Sequence, residues 1–72
     1  MESPSLVILN FDSTSKGALS QVMDVLLDFG KAFYYSPNRG SVRVLLRSRA
    51  KMDAIINEVR AIEGVKVRRY YQ

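Results

Sequence analysis

The chain has 72 residues, room for one domain (1–72) around one core, and it contains neither cysteine nor histidine. Those absences remove disulfides, thiolate metal sites, thiol nucleophiles and imidazole acid–base chemistry, so neither a catalytic role nor a metal or other cofactor is expected. The net charge of +4 is uneven: residues 1–40 carry three Lys/Arg against four Asp/Glu, and residues 41–72 carry eight against three, which makes the second half the one suited to an anionic partner.

Residues 1–4 read as a short tail without periodicity. Ser5 to Phe11, SLVILNF, is apolar on both alternation faces and reads as a central strand, covered on one side and partly on the other. It is far short of the ~18 apolar residues that span a bilayer and has no basic segment before it, so a cytoplasmic protein without a membrane segment is expected. From Asp12 to Gly30 a polar loop leads into an amphipathic helix. Leu19, Val22, Met23 and Leu26 share one face, Ser13, Thr14 and Ser15 offer N-cap oxygens, and Gly30 supplies the stop.

Two strands follow. Lys31 to Ser36 carries three consecutive aromatics, and Ser41 to Ser48 alternates Val42, Val44 and Leu46 against Arg43, Leu45 and Arg47. Between them, SPNRG has the proline, asparagine and glycine of a tight hairpin turn. Arg49 to Glu63 reads as a second helix, with Met52, Ile55, Ile56, Val59 and Ile62 on one stripe, Ser48 before it and Gly64 after it. Val65 to Gln72 is the last strand, with Val65 and Val67 inward and Lys66, Arg68 and Tyr70 on the opposite face.

The order β-α-β-β-α-β, with one apolar stripe per helix, predicts an α+β fold of the ferredoxin-like kind. Two helices pack on one face of a four-stranded antiparallel sheet whose first and third strands are central. The other face would be open. Alternation places Tyr34, Arg43, Arg47, Lys66, Arg68 and Tyr70 there, cations interleaved with rings, which is the chemistry of single-stranded nucleic-acid binding. Large aliphatics also fall on both sides of the central strands. A second copy of the chain covering the open face is therefore the competing expectation, as a homodimer or higher oligomer.

The residues around the first helix resemble those of the ACT domain family. Gly17, Leu19, Val22, Leu26 and Gly30 fall on that family's G-x-L-x-x-V/I-x-x-x-L-x-x-x-G spacing, Asp12 closes the strand before it, and Ile62, Gly64, Val65 and Val67 match its closing I-x-G-V-x-V. The chain departs from the pattern at Ser13 to Lys16, where a turn ending in proline is usual, and at Phe33 to Tyr35. The resemblance implies a non-catalytic regulatory module that binds an amino acid or related metabolite and assembles into oligomers. Its ligand loop would be Asp12, Ser13, Thr14, Ser15, Lys16, Gly17, Ala18 and Leu19. Backbone N–H groups at a helix start can hold a carboxylate, glycine allows close approach, Asp12 can accept from an amino group, and Lys16 can assist an anion. The same serines and Asp12 serve equally well as helix and loop caps.

Overall fold

The computed structural model describes residues 6–71, so the expected tail at 1–4, Ser5 and Gln72 lie outside the described residues. The elements are β1 (Val7–Asp12), α1 (Lys16–Asp28), β2 (Tyr34–Ser36), β3 (Ser41–Leu46), α2 (Arg49–Val59) and β4 (Lys66–Tyr71). The sheet order is β2-β3-β1-β4 with every pair antiparallel, which is the ferredoxin-like topology. As the element order predicts, β1 and β3 are the central strands.

Period-two patterning decides which face is covered. Val7, Leu9 and Phe11 of β1 and Val42, Val44 and Leu46 of β3 point into the core. They meet Ala18, Leu19, Val22 and Leu26 from α1 and Met52, Ile55, Ile56 and Val59 from α2, so one layer of helices closes one face of the sheet. Met23, Phe33, Ile62, Val65 and Val67 pack around that centre as half-buried side chains.

The helix ends follow local chemistry. Ser15 alone caps α1, its Oγ accepting the Ala18 N–H at 3.2 Å, while Ser13 Oγ accepts the Ser15 N–H at 3.1 Å and fixes the approach to the helix. Thr14 takes no part in the cap. Replacing Ser15 by alanine is expected to cost about 1 kcal/mol of stability, read as a lower urea midpoint with an unchanged slope. At the other end Gly30 adopts φ 69°. Its N–H donates to the Leu27 carbonyl at 2.9 Å, and the Lys31 N–H donates to the Leu26 carbonyl at 3.0 Å, the paired bonds of a Schellman stop.

Besides β1, which begins at Val7 and takes in Asp12, and β4, which begins at Lys66 rather than Val65, three boundaries differ from the sequence expectation. The second strand is only Tyr34–Ser36, because the chain leaves Gly30 in a left-handed conformation and uses residues 31–33 to come round to the sheet edge. The third strand stops at Leu46, so that Ser48 can take the extended geometry of an N-cap and accept the Lys51 N–H at 3.3 Å. The second helix ends at Val59 rather than Glu63. Ala61 and Ile62 donate to the carbonyls of Glu58 and Val59, three residues back, which tightens the chain into a turn while keeping Ile62 against the core. Among the described residues no helix is long and apolar enough to cross a membrane.

Candidate functional site: a cationic cleft and an open sheet face

The face of the sheet away from the helices is built in rows by strand register. Ile8 lies between Leu45 and Tyr70, and Asn10 between Arg43 and Arg68, with Tyr34 beyond Arg43. Asp12 lies between Ser41 and Lys66, with Ser36 beyond Ser41. Polarity therefore changes along the strands. One end is apolar, with Leu45 and Tyr70 exposed beside half-buried Ile8, and the other end is polar and cationic.

Asp12 organises the cationic end. Asn10 Nδ2 donates to its Oδ1 at 2.8 Å, and Arg68 donates to its Oδ2 from Nε at 2.8 Å, with Nη2 at 2.6 Å. Both guanidinium contacts fall on one oxygen, which leaves part of the Arg68 donor fork open toward solvent. The hydrogen bond to Asp12, and then the Asp12 charge, push the Arg68 pKa still higher than the ordinary arginine value, so Arg68 is a fixed cation at any physiological pH. Asn10 is the one buried polar residue among those described, 4% exposed on a face with no helix above it. Its register neighbours on either side are Arg43 and Arg68.

Beside this pair lies a cleft of about 450 Å³ with three walls. Asp12, Ser13 and Thr14 form one, Arg39 and Gly40 of the β2–β3 turn the second, and Gly64, Lys66 and Arg68 the third. The walls are tied at one point: the Ser13 N–H donates to the Gly40 carbonyl at 3.0 Å. A second hollow of about 230 Å³ opens on the sheet face between Tyr34, Ser36, Ser41 and Arg43, with Arg39 at its edge. Arg39 lines both.

The predicted ligand loop thus divides. Asp12, Ser13 and Thr14 line the cleft; Ser15 is occupied as a cap; Lys16 and Gly17 are exposed in the first turn of α1 and lie outside the lining. A Cβ at Gly17 would meet only Ser15 Oγ, at 3.7 Å, so the fold itself does not require glycine there. Ala18 and Leu19 are buried against the core.

The predicted sheet set divides as well. Tyr34 and Arg43 line the sheet hollow, Lys66 and Arg68 line the cleft, and Tyr70 sits at the apolar end. Arg47 lies beyond the end of β3, exposed and outside both hollows. The two predicted sites are therefore neighbours joined through Asp12 and Arg68. Arg39, Gly40 and Gly64 are not among the site residues the sequence points to: Arg39 and Gly40 read as turn chemistry, and Gly64 as a helix stop and part of the closing I-x-G-V-x-V match.

No protein-family model matches the sequence, and no curated protein matches it. Among solved structures, an uncharacterized protein from Thermotoga maritima is similar over 97% of this chain and 98% of its own, with a TM-score of 0.61 at 17% sequence identity. At that identity the likeness speaks to the fold alone.

Proposed function

We propose that this chain is a non-catalytic, ACT-like regulatory module that holds a small amino-acid-type metabolite in the cleft beside Asp12 and acts through its own assembly. One observation carries the proposal: Asp12, Ser13 and Thr14, the first three residues of the loop that the family resemblance marks as ligand-binding, form a wall of a three-walled cleft whose other walls supply Arg39 and Lys66. A ligand carboxylate suits those two cations and the open donors of Arg68. Asp12 Oδ2 is taken up by Arg68, but Oδ1 accepts only from Asn10 and has a second lone-pair direction, so it can also accept from an α-amino group.

A ligand there would touch three segments that are far apart in sequence. It would shift an equilibrium between two arrangements of the assembled chains by whatever difference in affinity they show for it. The apolar end of the open face, Ile8, Leu45 and Tyr70, offers the surface on which a second copy would pack. The test is backbone-amide NMR with pooled amino acids at moderate salt, together with sedimentation velocity with and without the pool. Saturable shifts at Ser13, Thr14, Gly40, Gly64 and Lys66, with a ligand-dependent change in sedimentation, are the expected result. Silence of those amides at millimolar concentrations would remove the metabolite site and leave only an assembly role.

A further inference from the structure

The β2 strand contributes nothing buried to the core: of its three side chains, Tyr34 and Tyr35 are exposed and Ser36 is half-buried. Tyr34 is 77% exposed and stands on the open face opposite Arg43, while Ser36 stands opposite Ser41. Neighbouring strands are ~4.8 Å apart and same-face residues along a strand ~7 Å apart. Four side chains in two such pairs frame the hollow of about 230 Å³, and Arg39 reaches its edge from the turn.

The electrostatics of the hollow are one-sided. Its lining holds two guanidiniums and no carboxylate. The carboxylate nearest in register, Asp12 opposite Ser41, is engaged by Arg68 and Asn10. Among the described residues the remaining acids lie on α1, on α2 or in the turn after it, so no other strand residue is acidic. The hollow therefore combines an exposed ring, two planar cations and two hydroxyls at the spacing of adjacent strands.

The geometry points to a nucleotide site in this hollow: a base stacked on the Tyr34 ring, and its phosphate held by Arg43 and Arg39 with the hydroxyls of Ser36 and Ser41 as further donors. Each part needs its own residue type. The ring face takes a base of any sequence, and guanidinium forks take phosphate oxygens in pairs. A simple anion would use only half of the arrangement. The inference goes beyond the cleft and does not depend on it, since the two linings share Arg39 alone. The same chemistry serves a free nucleotide or one unit of a single strand.

The test titrates the full chain with inorganic phosphate, adenosine, adenosine monophosphate and a short oligoadenylate, read by backbone-amide NMR. Adenosine monophosphate is expected to shift Tyr34, Ser36, Ser41 and Arg43, and to bind about tenfold more tightly than either adenosine or phosphate. Tyr34→Ala and Arg43→Ala should each lose about tenfold in affinity, whereas Tyr34→Phe, which keeps the ring face, should bind as before. An oligomer that binds no more tightly per site than the mononucleotide identifies the free nucleotide as the ligand. One that binds more tightly, with steep salt dependence and added shifts at Arg68 and Tyr70, identifies a single strand crossing the sheet. Phosphate binding as tightly as the nucleotide, indifference to Tyr34→Ala, or nucleotide shifts that leave these four residues unmoved would each overturn the proposal.

Discussion

Gly40→Ala is expected to destabilise the domain by about 3 kcal/mol, whereas Gly30→Ala, the same chemical change in the same region of backbone space, is expected to cost about 1 kcal/mol. Both glycines have positive φ, 62° and 69°, so both substitutions carry the penalty of a Cβ in the left-handed region. They differ in what the new methyl meets. At Gly30 there is nothing within 4 Å; at Gly40 the methyl carbon would stand 2.6 Å from the Ser13 carbonyl oxygen. That oxygen is main chain, and the Ser13 N–H is bonded to the Gly40 carbonyl, so relief requires moving the β1–α1 loop away from the turn and breaking the tie that joins two walls of the cleft.

A domain of this size is expected to have ~4–10 kcal/mol in total, so a loss of that order is easily seen. Urea unfolding of the two variants side by side measures the difference. Equal midpoints would mean that the loop moves freely and that the contact between Ser13 and Gly40 does not hold the cleft.

That contact also explains why the fold was more legible in the sequence than the site. The core strands declare themselves locally: Val42, Val44 and Leu46 alternate with Ser41, Arg43 and Leu45, and the α1 stripe is closed by a glycine in the position a helix stop requires. The second helix is shorter than its apolar spacing suggests because Val59 and Ile62 are three residues apart, a spacing shared by an α-helix and by the tighter turn that replaces it. The second strand is shorter than its aromatic residues, with their high strand propensity, suggest: only three residues pair.

The site depends instead on register. Asp12 meets Arg68 across 56 positions of sequence because β1 pairs with β4, and Arg39 reaches the cleft because Asp12 and Ser41 face each other across β1 and β3. Residue types and faces can be read from alternation alone, which places Tyr34, Arg43, Lys66, Arg68 and Tyr70 on the face where the register puts them. Their grouping required knowing which residue stands opposite which, and Leu19, fitted to a family ligand position by spacing, has its side chain in the core.

Arg39→Ala is expected to weaken ligand binding at both hollows by tenfold or more while leaving stability within about 0.5 kcal/mol of the parent. The side chain is exposed in a turn, and no hydrogen bond or ion pair from it to another described residue forms, so the folded chain loses no internal contact with it. It nevertheless stands on the rim of both the Asp12 cleft and the Tyr34 hollow, where a charge-assisted bond to a carboxylate or phosphate contributes ~1.5–3 kcal/mol. Arg39→Lys separates charge from shape: an ammonium keeps the attraction but not the paired donors, so it should recover part of the affinity at each site. Titrating each variant with the amino-acid pool and with adenosine monophosphate reads the two sites independently. Loss at both places the guanidinium between two ligands that compete for it. Loss at one alone assigns Arg39 to that site, and no loss at either removes it from both.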